Sequence, residues 1–126
     1  MMRLHDYLRQ FERAKFRPGQ VDCAQFVRGW VTARIGRDPA TGYEYATLEE
    51  GQEALQRDGY ADHVEFVAEH LTEVRTTHAQ VGDIAVVESE HGSALGILTG
   101  EHVAMVGADG LMLTPRAAML RAFTCR

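Results

Sequence analysis

Apolar residues in the first half of the chain recur at helical spacing. Leu4, Tyr7, Leu8, Phe11 and Ala14 share one side of a segment over residues 3 to 14, with Arg9, Gln10, Glu12 and Arg13 on the other. The pattern predicts an amphipathic helix there, which "FRPGQV" interrupts because proline fixes its own φ and restricts the residue before it. A second helix is expected from Asp22, with apolar residues at 23, 26, 27, 30, 31 and 35. Asp22 and Gln25 stand at the spacing of a capping box, and Gly36 suits the left-handed position beyond the end. Thr47 with Glu50 opens a third helix that Gly59 closes, and Asp62 with Glu65 opens a fourth carrying Val64, Phe66, Val67 and Leu71.

After Asp83 the period shortens. "DIAVV", "ALGIL", "HVAMV" and "LMLT" are short apolar runs separated by "ESEHGS", "TGE" and "GADG", and they predict an antiparallel meander. No linker, repeat or low-complexity tract separates the halves. The expectation is therefore one α+β domain over residues 1–126, its N-terminal helices packed on a C-terminal antiparallel sheet.

Composition narrows the function classes. The chain has 126 residues, 45% of them apolar, enough for a core without metals or disulfides. Its formal charge is −5 and its basic residues are scattered, which argues against nucleic acid. No run approaches the ~20 apolar residues of a membrane span, and "MMRLHDYLRQFERAK" lacks the apolar stretch of a signal peptide, so a cytosolic site of synthesis is expected. The two cysteines, Cys23 and Cys125, are expected as free thiols.

Candidate chemistry centres on Cys23. A cysteine in the first turn of a helix meets unpaired N–H groups and the positive end of the helix dipole, both of which favour a thiolate, while Asp22 opposes it. The same residue also reads as a small apolar core residue. A catalytic thiolate needs an imidazole and a group to orient it. The sheet half offers His78, His91 in the "SEHGS" turn, and His102 at the start of "HVAMV", each equally readable as solvated. No HxxxH or HxH pair is present and neither cysteine has a close Cys or His neighbour, so no metal or cofactor is expected.

The ordered series "DCAQFV", "GDIAVV" and "GILTG" resembles the NlpC-like cysteine peptidases, papain-fold enzymes that cut cell-wall peptides. It is most similar to a short, phage- and prophage-encoded branch found among tail genes. Asp22, Cys23, Ala24, Phe26 and Val27 match the nucleophile motif of that family. The resemblance implies a papain-like NlpC-type fold, Cys23 as nucleophile, and Gly19, Asp22 and Gln25 beside the substrate. It places Ala94 where the catalytic histidine opens its strand, and Val106 near the third polar residue. The tryptophan-glycine pair that often precedes the cysteine is replaced by Pro18 and Gly19.

The same resemblance implies a tail-associated protein, made in the host cytoplasm and then carried in the virion tail, with other tail proteins as partners and a degenerate active site. The alternative is a thiol hydrolase acting on peptidoglycan peptides through Cys23, with His102 or His91 as a displaced base and backbone N–H groups holding the oxyanion.

Overall fold

The computed structural model describes residues 2–125. Four helices come first: α1 (Leu4–Arg9), α2 (Cys23–Ile35), α3 (Leu48–Arg57) and α4 (His63–His70). Each of the last three starts where a side chain accepts from a first-turn N–H that would otherwise lack a partner. These are Asp22 from Gln25, Thr47 from Glu50 and Asp62 from Glu65. Gly36 ends α2 at φ 79°, and its N–H reaches the Thr32 carbonyl.

Six strands follow: β1 (Thr72–Val74), β2 (Ile84–Ser89), β3 (Gly92–Leu98), β4 (His102–Val106), β5 (Leu111–Pro115) and β6 (Met119–Thr124). They form one antiparallel sheet in the order β1-β6-β2-β3-β4-β5. Strands β2 to β5 are the expected meander. The chain then returns past a single 3-10 turn at Arg116–Ala118 and inserts β6 between β1 and β2. Opposite Val86 and Val87 the register slips from Arg121 to Met119, so Leu120 is an extra residue and lies 58% exposed. The bulge returns Met119 and Ala122 to the same side of the sheet.

Side chains alternate across the strands, so the sheet has two cores. The helix-facing core joins Tyr7, Phe26, Trp30 and Val67 to Ile84, Leu95, Ile97 and Phe123. Tyr7 donates to the Phe26 carbonyl at 2.6 Å, and a Cβ on Gly29 would collide with the Tyr7 hydroxyl, so α1 crosses α2 at a glycine. Trp30 Nε1 donates to the Gly82 carbonyl at 2.8 Å, fixing α2 over the entry to β2.

The opposite face buries Ala85, Val87, Leu98, Val103, Met119 and Ala122. Arg116 gathers its margin. Its guanidinium donates to the carbonyls of Gly100 (3.2 Å), Thr76 (3.1 Å) and Ala79 (2.8 Å), joining the β3–β4 turn to the 3-10 turn at Thr76–His78.

The first helix ends earlier than its apolar spacing suggests. Phe11 and Glu12 bond back three residues, to Leu8 and Arg9, in tightened turns. The chain then leaves to lie along the β4–β5 hairpin. Leu111 N–H reaches the Glu12 carbonyl (3.4 Å) and Phe16 N–H the Ala108 carbonyl (3.0 Å), tertiary bonds that a longer helix would forgo.

Candidate functional site

Asp22 organises the start of α2. The residue is 3% exposed, and its carboxylate accepts from Gln25 N–H (2.8 Å), Gly19 N–H (2.8 Å) and the Tyr45 hydroxyl (2.6 Å). Burial and the bond to Asp22 both push the Tyr45 hydroxyl above the ordinary tyrosine range. Gly19 has φ 79°, and a Cβ there would collide with the Tyr45 carbonyl oxygen, so only glycine allows the two loops to meet. Of the three residues expected beside a substrate, Asp22 is thus held by the protein itself. Gly19 and Gln25 line a polar cleft of about 520 Å³ with Arg17, Arg28 and Glu44.

Cys23 is the first residue of α2, and its side chain is half-buried against the helix-facing core. Burial raises its thiol pKa most. The Leu95 N–H lowers it, the Asp22 carboxylate raises it again, and the Ala24 and Cys23 N–H groups of the helix start lower it. Desolvation therefore outweighs the helix-start donors, and the resting thiol is protonated at neutral pH. Cys125, also free, is buried at the far end of α2, where its thiol donates to the Gly82 carbonyl at 3.3 Å.

The register of β3 decides what faces Cys23. Leu95 and Ile97 join the helix-facing core, whereas Ala94 belongs to the opposite cluster with Val87, Val103 and Met119. Ala94, the position matched to a catalytic histidine, therefore looks away from α2. Leu95 faces it, and Val106 of β4 packs into the same core.

His91 is exposed in the β2–β3 turn, and His102 is exposed at the start of β4 with its carbonyl accepting from Thr99. Each lies four residues along β3 from Leu95, in opposite directions, counting His102 by its partner Thr99. At ~3.3 Å per residue this is about 13 Å. The structure brings neither beside Cys23.

A different histidine approaches, one that its place in the sequence does not single out. Leu98 exchanges bonds with Gly82 and Asp83 on the β2 side, so the alternate residues Ser93 and Leu95 direct their peptide groups toward β4. The β3–β4 ladder, however, runs only through Ile97–Ala104 and Leu98–Val103. On the released edge, the Ser93 carbonyl accepts from His63 Nε2 at 2.9 Å, and the next outward group, Leu95 N–H, serves Cys23. Because a carbonyl only accepts, Nε2 carries a hydrogen, and in the neutral ring Nδ1 keeps the lone pair. The starts of α2 and α4 thus sit on adjacent groups of one strand edge.

Among the described residues, no three His, Cys, Asp or Glu side chains gather as a metal site would require, and no helix is long and apolar enough to cross a membrane. A family model described as a domain of unknown function, DUF6950, matches residues 1–125. No curated protein matches the chain.

Proposed function

The chain belongs to the DUF6950 family; we propose that it is an NlpC-type domain of a phage or prophage tail that has lost the peptidase chemistry and acts in tail assembly. The sequence resemblance supports the family and the setting. The observation that carries the loss of chemistry is the apolar character of the strand positions turned toward α2: Leu95, whose N–H serves Cys23, and Val106 in the same core. The thiol keeps its place, but the helix-facing strand positions around it are apolar. A cysteine without a base forfeits general acid–base help worth ~10²–10⁴ in rate, most severely in protonating the leaving amine. Its raised pKa further depletes the nucleophile.

The test has two arms. Purified peptidoglycan incubated with the wild type and with Cys23→Ala is expected to give identical muropeptide profiles. Mass photometry with tail proteins encoded by neighbouring genes is expected to show a complex; binding to none of them would remove the assembly role.

His63 favours a second reading, the thiol hydrolase with a displaced base. Its Nε2–H is oriented by the Ser93 carbonyl, two residues along β3 from the Leu95 N–H that serves the thiol, and its Nδ1 is left with a lone pair. In a Cys125→Ser background, a Cys23 alkylation profile that His63→Ala shifts to higher pH would bring this reading forward. An unchanged profile would set it aside.

A further inference from the structure

Cys23 does not line the polar cleft, although Gln25 and Tyr45, which do, stand beside it. At about 520 Å³ it falls within the ~300–1,000 Å³ of small-ligand sites. One wall is the Arg17–Val21 turn, closed by reciprocal bonds of 2.8 and 2.7 Å between the two end residues. The other is the segment of residues 43–46. Asp22 ties the walls together through Gly19 N–H and the Tyr45 hydroxyl, and Arg28 donates to the Tyr43 carbonyl at 2.9 Å. The cleft is therefore preformed.

Its charges balance. Arg28 is matched by Asp38 in a bidentate pair, with bonds of 3.0 and 2.7 Å. Arg17, Gln20 and Glu44 are exposed, and their side chains make no hydrogen bond or ion pair among the described residues. The free groups are thus one cation, one anion and a neutral amide: abundant donors and acceptors with no net charge to select an anion or a cation.

One margin is aromatic. Tyr43 lines the cleft and meets Phe66 edge-on at 5.3 Å; Phe66 in turn meets Tyr60 at 5.1 Å and stacks on His70 at 4.2 Å. None of the four rings is buried. The Tyr43 hydroxyl is held by the Asp58 carboxylate, which fixes the ring.

We propose that this cleft binds a neutral oligosaccharide, with Tyr43 as the platform for the C–H face of a sugar ring and with Arg17, Gln20, Gln25 and Glu44 taking its hydroxyls. A sugar offers what the lining asks for. It has an apolar ring face for an aromatic side chain and hydroxyls that both donate and accept, without charge. None of these contacts depends on the chain being an NlpC-type domain.

The test is an amide NMR titration of the full chain with chitotriose and with maltotriose, using tri-alanine and inorganic phosphate as comparison probes. One trisaccharide is expected to shift the amides of Gln20, Gln25 and residues 43–46 saturably in the millimolar range. Tyr43→Phe, which keeps the ring but loses its bond to Asp58, should weaken the affinity less than Tyr43→Ala, which should weaken it about tenfold. If Tyr43→Ala does not fold, Gln20→Ala, on an exposed turn, is expected to weaken binding instead. The proposal is overturned if neither trisaccharide moves these amides, or if tri-alanine or phosphate binds there more tightly.

Discussion

Asp22 is the residue on which the start of α2 turns, because three donors from three separate segments converge on one buried carboxylate. Asp22→Ala is expected to cost about 3 kcal/mol, since the helix cap, the Gly19 turn and the Tyr45 loop lose their acceptor together. Asp22→Asn keeps one carbonyl oxygen for the cap but turns an NH₂ toward the other donors, and should recover about half of that loss. Urea denaturation of both variants measures the difference. The cap itself was legible in the sequence because helix-start chemistry is local: Asp22, Thr47 and Asp62 announce α2, α3 and α4. The other two bonds of Asp22 were not legible, because Gly19 and Tyr45 meet only in the fold. His63 escaped notice for a related reason. Next to the cap Asp62 it reads as an ordinary first-turn residue, and its value lies in the strand edge that it reaches.

Among the elements, the crossing of α1 on α2 is fixed by one missing Cβ. Gly29→Ala would press a methyl against the Tyr7 hydroxyl and should cost about 2 kcal/mol despite the better helix propensity of alanine. Adding Tyr7→Phe removes the obstructing oxygen, so the double mutant should be more stable than additivity allows. A double-mutant cycle from thermal unfolding reads this coupling. Arg116 holds the other face. Arg116→Ala leaves three carbonyls without their donor and is expected to cost about 2–4 kcal/mol, with faster amide exchange at Val103 and Ala122 than at Phe26. The sequence foretold the meander because its strands are short apolar runs set off by turn-forming segments, β2 being buried on both faces. It hid β6, where the bulge at Leu120 breaks the alternation, and β1, which is three residues long. It also left open which face of β3 meets Cys23, a one-residue choice that only packing against α2 decides.

At the scale of the whole molecule, the buried acids make alkaline pH the weak side. Burial raises both thiols, and it pushes the Tyr7 hydroxyl up to about 12. In each case the folded state holds its proton more tightly than the unfolded chain. The stabilisation is complete below the unfolded pKa values, ~8.5 for a thiol and ~10 for tyrosine, and is lost as pH rises toward the folded ones. Unfolding free energy should therefore be flat from pH 7 to about 8 and fall steadily above that. In Cys23→Ala with Cys125→Ser, the decline should begin about one pH unit later. Equilibrium unfolding across this range checks both slopes.

The backbone bonds that draw residues 12–16 onto the β4–β5 hairpin have a bearing on how copies of the chain behave in a crowded solution. Gly107 and Gly110 close the hairpin, so Leu111, Leu113 and Pro115 direct their peptide groups outward from β5. Glu12 takes the first N–H and proline has none to offer, which leaves the Leu113 peptide as the open N–H and carbonyl pair on an uncharged, partly apolar edge. Residues 12–16 and Pro115 are thus a guard against strand-to-strand polymerisation. A nick at the exposed Lys15 would free those residues from the hairpin, and the expected outcome is a concentration-dependent dimer through paired β5 edges, read by sedimentation of the nicked and the intact chain.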